Sequence, residues 1–459
     1  MAKQADGGTE GMAGSSMNWR QLLLPLRYGE TQARLALDIG RTPFHKDYDR
    51  IIFSSAFRRL NRKTQVHPLT ENDHLHSRLT HSLEVGCVGR SLGSMVGNAM
   101  AHQLPEFMDA GDLGALVQAA CLAHDIGNPP YGHSGEEAIR HWFMDAQNRH
   151  FLEDLTVAQQ ADLMTFEGNA QGLRLVTQVE YNRFKGGMRL TYATLGTFLK
   201  YPWSVMEVTE GRAKKFGCYQ SELPILREVA ATLGLLPRGE DRWCRHPLVY
   251  LVEAADDICY GLIDLEDGVE VGLLQYHEVE ALLSPLLVDQ WEQVQEDIAN
   301  EDGDRRKLQI LRGYAMEVMV QAVSASFTRH EAQLLQGNLA GGIIDYCPPA
   351  VRQVVADAKE LARQRIFRDG RKLTIEIGSY TTLGVLLESF LSAARECALG
   401  QAATFRNTRL LALMGGSAPK PGWTLYESYM RTLDYISGMT DTFAASLARQ
   451  LEGYNPPSQ

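Results

Sequence analysis

An all-α fold, a helical bundle with a C-terminal helical lobe, is predicted by three observations. Apolar residues recur at three- and four-residue spacing along most of the 459-residue chain, alternating β-branched runs are scarce, and the clearest apolar run stops at Gly127 and the Pro129-Pro130 pair. Hydrophobic residues make up 44% and charged residues 22% of the chain, enough to bury a sizeable core.

The elements follow in chain order. Residues 1–30 open with a Gly/Ser-rich stretch and read as a flexible tail, 31–270 as a core unit, and 271–459 as the helical lobe. Leu79, Leu83, Val88, Leu92, Met95 and Val96 predict one helix, and Leu113, Leu116, Val117, Ala120 and Cys121 a second. Between 138 and 245 the chain is polar and Gly-rich; its "GGMRLTYATLGTFLKYPW" fits a short hairpin or a turn into a helix. From about Pro247 to Asp267, "PLVYLVEAADDICYGLIDLED" is apolar on nearly every side, as in a helix buried inside a bundle. Beyond 270 amphipathic patterns continue, "NEDGDRRK" at 300–307 reads as a solvated loop, and the terminal "YNPPSQ" as a disordered tail.

Composition also excludes several function classes. No apolar run approaches the roughly eighteen residues a membrane helix needs, and the first thirty lack the continuous apolar segment of a secretory signal. Seven scattered cysteines, without a CxxC pair, argue against a disulfide framework or a thiolate zinc site and for a reducing cytoplasm. A net charge of -11 disfavours attraction of the whole surface to nucleic acid or anionic membrane, so a phosphate site must be a concentrated basic patch.

The chemistry is concentrated in "HDIGNPPYGHSGEE", residues 124–137. His124 and Asp125 stand side by side at the end of an apolar helix, a Gly-Asn-Pro-Pro loop follows, and His133 and Glu136 return three residues apart. His81 in "RLTHSLEVG" and an aspartate of "EAADDICY" lie in equally apolar helical patterns, where a carboxylate must be paired or metal-bound. Two imidazoles and two carboxylates without sulfur suit one Mn²⁺, Mg²⁺, Fe²⁺, Co²⁺ or Ni²⁺ ion. The spacing of His133 and Glu136 lets the carboxylate fix the imidazole tautomer and raise its basicity; Ser134 is also a credible helix N-cap, a compatible reading.

These motifs, with "EGNAQGLRL" and "DYISGMTD", closely resemble the deoxynucleoside triphosphate triphosphohydrolases of the His-Asp (HD) superfamily, the deoxyguanosine-triphosphate group in particular, over about residues 40 to 445. The resemblance implies an HD phosphohydrolase core over 31–270 and hydrolysis of a dNTP to the deoxynucleoside plus inorganic tripolyphosphate, controlling dNTP pools. It implies His81, His124 and Asp125 as metal ligands. For the fourth, the family spacing of a tyrosine and an aspartate four and eight residues on selects Asp256, with Tyr260 and Asp264 at the deoxyribose, over Asp257. It also implies Gln65 as partner of the 3′-hydroxyl, Arg78 and Lys200 as phosphate contacts, and Asn169 as a further substrate contact.

Basic residues are dense where a triphosphate would need them, with Arg58, Arg59, Arg62 and Lys63 in "FRRLNRKTQV", although such a run is also the ordinary makeup of a solvated helix face. No GxxxxGK[ST] segment occurs, so a P-loop is excluded. The expected reaction breaks the bond between Pα and the sugar 5′-oxygen, with His133 either the acid to that oxygen or the base to the attacking water. The resemblance further implies a homo-oligomer, a hexamer, with assembly contacts near "DYISGMTD", and a nucleotide or single-stranded DNA effector. Two other classes fit the same residues: another HD phosphohydrolase, a phosphodiesterase or nucleotidase, and a nucleotide- or DNA-sensing regulator.

Overall fold

Short polar side chains set the starts of the helices that matter most. Ser77 Oγ accepts from the Thr80 amide while Thr80 Oγ1 accepts from Ser77, a reciprocal cap that starts α2 (Arg78–Ala99). Asp109 and Asp112 do the same for α3 (Ala110–Ala123). The computed structural model describes residues 16–31, 41–65, 72, 74–181, 186–208, 215–402 and 404–454. Among these residues the protein is built of helices, with isolated β-bridges and no strand, as its periodicity predicts. No described helix is long and apolar enough to cross a membrane.

Helices α2 and α3 pack unusually close because α2 presents Gly89, Gly93 and Gly97 to its neighbour, one per turn. A Cβ on Gly93 would stand 2.8 Å from Leu113 O, and one on Gly97 2.8 Å from the Ala110 Cα. Across this pair lies α7 (Val249–Glu270), buried along most of its length. With α8 (Asp304–Arg329), these helices share one apolar core including Val85, Leu92, Leu116, Ile258, Leu262 and Leu311. A second core joins α4 (His133–Met144) to α9 (Gly370–Ala398), α10 (Leu425–Ser437) and α11 (Asp441–Leu451) through Ile139, Phe143, Phe390, Tyr429 and Leu433. The expected boundary at residue 270 therefore runs through the first core, and the second unites residues from both sides of it.

Three local expectations change. Residues 1–15 lie outside the described residues, but 16–30 are packed rather than tail-like: α1 (Trp19–Leu22) buries Trp19 and Leu22, and Trp19 Nε1 donates to Glu331 Oε1 at 2.7 Å. The 138–245 stretch is more helical than its glycines suggest, containing α5 (Gly168–Arg174) and α6 (Tyr192–Phe198); the second realises the turn-into-helix alternative. Within "NEDGDRRK" the loop ends at Gly303, and Asp304 already opens α8. Of the expected disordered tail at 454–459, Tyr454 is exposed and 455–459 lie outside the described residues.

"DYISGMTD" turns inward. Asp434, Ile436 and Asp441 are buried, and Asp434 takes Arg174 Nε and Nη2 at 2.8 and 3.0 Å. It knits α10 to α5 within the chain.

Candidate metal centre and active site

Close packing of α2 on α3 brings the start of one beside the end of the other. His81, one turn into α2, is almost wholly buried; His124 and Asp125 follow the last turn of α3; Asp256 lies in α7. One ligand-type atom from each of His81, His124 and Asp125 lies within 4.8 Å of the others. Asp256 Oδ1 stands 3.1 Å from His81 Nε2 and 3.6 Å from His124 Nε2, and the latter is 3.7 Å from Asp125 Oδ1. Asp257, one residue on, instead pairs with Lys359 at 2.7 Å.

Orientation of the donors comes from their neighbours. His124 Nδ1–H donates to the Cys121 carbonyl at 2.6 Å, which leaves the Nε2 lone pair facing the two carboxylates. Asp125 is held by the Arg78 guanidinium and by Asn128 Nδ2 at 2.6 Å. Burial alone would raise the Asp125 carboxyl, but Arg78 foremost, then His124, His81 and His133, hold it far below the usual carboxylate range. Asp256, likewise opposed by burial, is brought to about 2 by His124, His81 and Lys200. Two ionised carboxylates and two imidazoles converging in a partly buried centre fit one divalent cation with nitrogen and oxygen ligands.

A cavity of about 370 Å³ opens on this centre. Its walls include Gln65, Arg78, His81, Asp125, Tyr131, His133, Asp256, Tyr260, Phe367 and Lys372. Gln65 Oε1 is buried there with no hydrogen-bond partner, and the Tyr260 ring lies 5.9 Å from that of Phe367. Neighbouring protein groups surround the remaining expected contacts. Arg78 is engaged by Asp125 and packs against Gly132, where a Cβ would stand 2.3 Å from its Nη2. Asn169 donates to Glu167 Oε1 at 2.7 Å. Asp264 is buried one turn beyond Tyr260 with Oδ2 unpartnered, and burial, then Asp267, pushes its carboxyl up. Lys200 lines a neighbouring cavity of about 880 Å³ and sits 3.5 Å from Glu253.

His133 and Glu136 do meet. The left-handed Tyr131 (φ 64°) and Gly132 (φ 57°) swing the chain into α4 at His133, so Gly132 occupies the cap and Ser134, already helical, does not. The His133 side chain is 80% exposed, and its Nδ1–H donates to Glu136 Oε2 at 3.2 Å. Glu136 is buried, accepts from the Gly168 amide at 2.8 Å, and faces Lys215 at 3.4 Å and Arg140 at 3.5 Å. Both cations also hold the buried Glu167, at 2.9 and 3.3 Å. Burial alone would raise the Glu136 carboxyl, but His133, Lys215 and Arg140 bring it down to about 2; burial and Glu136 push Glu167 up. Sequence reasoning missed Arg140, Glu167 and Lys215. Glu167 opens the "EGNAQG" motif and so carried a signal; Lys215 lies in no motif, and only the fold brings it here.

An ion-binding histidine-aspartate centre inside a helical bundle defines the class of HD-domain proteins, and the model of the HD domain family matches residues 78–191, the span that contains His81, His124, Asp125 and His133. Relatives extend over nearly the whole chain. A "Deoxyguanosinetriphosphate triphosphohydrolase-like protein" of Pseudomonas aeruginosa is 52% identical over 444 residues, covering 96% of this chain and 100% of the relative. One of the same name from Synechocystis sp. is 38% identical, covering 95% and 99%. A "Deoxyguanosinetriphosphate triphosphohydrolase" of Enterobacter sp. is 30% identical, covering 89% and 93%. The chain belongs to the deoxyguanosinetriphosphate triphosphohydrolase-like family of HD-domain proteins.

Proposed function

We propose that this protein hydrolyses deoxynucleoside triphosphates, dGTP among them, to the deoxynucleoside and inorganic tripolyphosphate. The observation that carries this reading is the convergence of His81, His124, Asp125 and Asp256 at one end of a cavity that also holds His133, Tyr260 and Gln65. The family relatives named for this activity supply the substrate class.

The four ligands would hold one divalent ion, Mn²⁺ or Mg²⁺ in the first instance, with Fe²⁺, Co²⁺ and Ni²⁺ also compatible with the donor set. Such an ion supplies Lewis acidity at a phosphate oxygen and a more acidic water. The remaining work falls to the chain. Water oxygen adds to Pα, the bond from Pα to the 5′-oxygen breaks, and that oxygen leaves protonated as the sugar hydroxyl. His133, with Nδ1–H committed to Glu136, exchanges the proton through Nε2. Gln65 Oε1, unpartnered in its wall, accepts from the sugar 3′-hydroxyl, and Tyr260 packs under C2′, where a ribose hydroxyl would collide.

The larger cavity beside Lys200 supports an anionic effector, a nucleotide or single-stranded DNA. It gathers Lys200, Arg238, Arg242, Arg245, Arg352 and Lys359 against Glu253, Asp257 and Asp345, in a chain of net charge -11. Assembly into a homo-oligomer, a hexamer in this reading, belongs to the same proposal and is read by light scattering.

The test is a product assay across the four dNTPs with and without Mn²⁺, resolving tripolyphosphate from pyrophosphate and phosphate. Equal amounts of deoxynucleoside and tripolyphosphate are expected, with ¹⁸O from labelled water in the tripolyphosphate. Deoxynucleoside monophosphate with pyrophosphate, or free phosphate alone, would replace this reading with another phosphohydrolase activity.

A further inference from the structure

The walls of the smaller cavity come from segments far apart in sequence, and one carboxylate near the end of the described chain ties two of them together. Asp441, the first residue of α11, is 1% exposed. Its Oδ2 accepts from the Thr64 amide at 2.9 Å and from Thr64 Oγ1 at 2.6 Å, and its Oδ1 accepts from the Tyr131 amide at 2.9 Å. The Tyr131 hydroxyl closes the loop by donating to the Asp441 carbonyl at 3.2 Å. A second tie runs parallel: Lys63 Nζ, also buried, donates to the carbonyls of Asn128 at 2.5 Å and Ser437 at 2.6 Å.

These partners adjoin the residues expected to touch substrate. Thr64 precedes Gln65, which lines the cavity and whose buried amide oxygen has no partner, and Tyr131 precedes Gly132 and His133. Tyr131 and Gly132 are both left-handed, a conformation only glycine adopts freely, so this turn depends on outside anchors. Among the described residues, the acceptor of the Tyr131 amide is Asp441.

We propose that Asp441 is a positioning residue of the active site: it fixes the Lys63–Gln65 strap and the Tyr131–Gly132 turn at one separation, and so sets where Gln65 and His133 meet the nucleotide. This rests on the dNTP reading above. The shape-preserving change Asp441→Asn replaces one acceptor oxygen by an amide NH₂, which cannot accept the backbone amide that oxygen held, while all four proposed metal ligands are untouched.

The experiment compares wild type, Asp441→Asn and Thr64→Val for metal content, amide hydrogen exchange, and kcat and KM on dGTP and its 3′-deoxy analogue. Thr64→Val removes only the hydroxyl bond and serves if Asp441→Asn fails to fold. Metal content should stay at the wild-type level, and amides of peptides covering 61–65 and 129–133 should exchange faster in Asp441→Asn. For Asp441→Asn, kcat/KM on dGTP should fall about 10- to 100-fold, the scale of a small misplacement of reacting groups. The preference for dGTP over the 3′-deoxy analogue should shrink, and Thr64→Val should show the same pattern more weakly. Unchanged kinetics and exchange in the variants, or a loss equal for both nucleotides, would overturn the assignment. A wild-type protein that releases no tripolyphosphate would instead overturn the reaction, and the exchange data would still decide whether Asp441 holds the two segments.

Discussion

In the proposed reaction the histidines and carboxylates at the centre divide between holding the ion and moving protons, and single substitutions distinguish the two roles. Asp125→Ala should abolish both metal content and turnover, since it removes a ligand and leaves the Arg78 guanidinium buried without its partner. His133→Ala should keep the metal, read by elemental analysis of the purified protein, while kcat falls about 10²–10⁴-fold, the range for a lost acid-base group. A metal-loaded, active Asp125→Ala protein would remove the ligand assignment; loss of metal in His133→Ala would remove the proton-transfer role. At this scale the sequence was informative where motif and burial coincide. His81, His124, Asp125 and Asp256 all lie in or at the end of apolar helical stretches, where a polar or ionised side chain stands out against its neighbours. It was silent on Lys215, because a lysine's three-dimensional neighbours leave no mark on its local pattern.

Helix placement, more than any loop, sets the distance between the two imidazoles. Because α2 turns glycines toward α3, Gly93→Ala would set a methyl 2.8 Å from Leu113 O and 2.9 Å from the Gly114 Cα, backbone atoms that cannot swing aside. The pair must separate, and denaturant unfolding should show a loss of about 1–3 kcal/mol, together with weaker metal retention as His81 moves from His124. A variant as stable and as well loaded as the wild type would mean that the interhelical spacing does not govern the centre. Long, buried or amphipathic helices such as α2, α3 and α7 were legible from apolar periodicity. The short α5 was not, and α6 was legible only as one of two alternatives, because seven residues buried on nearly every side show no alternation between wet and dry faces. Nor was α1, where Trp19 and Leu22 sit beside a Gly/Ser-rich stretch whose composition reads as mobile.

Across the whole molecule, buried polar ties join segments that hydrophobic contact alone would leave free to slide. Arg174 is held between Glu222 at 2.7 Å and Asp434, each nearly inaccessible to water. Asp434→Ala should cost about 3–5 kcal/mol in urea unfolding, because it strands a buried guanidinium; a cost below 1 kcal/mol would show that Glu222 alone suffices. His246 ties α1 to the residues leading into α7: Nε2–H donates to Leu22 O and Nδ1 accepts from the Leu248 amide, each at 3.1 Å. Burial lowers this imidazole to about 4, from an ordinary 6.5. The unfolded chain therefore binds the extra proton first, so the contribution of neutral His246 is complete above pH 6.5 and is lost as pH falls toward 4, roughly 3 kcal/mol in all. The thermal midpoint of wild type should drop across that window, more steeply than that of His246→Leu; parallel curves would exclude the histidine as the source.

The Asp441 ties also carry an implication for biosynthesis. A ribosome that has passed residue 260 has already delivered all four proposed metal ligands, His133 and Tyr260, yet the carboxylate that joins Thr64 to Tyr131 is added 377 and 310 positions after those partners. The residues proposed to hold the ion are thus synthesised well before the carboxylate that fastens the cavity walls together, and completion of those walls waits on translation of the C-terminal helices.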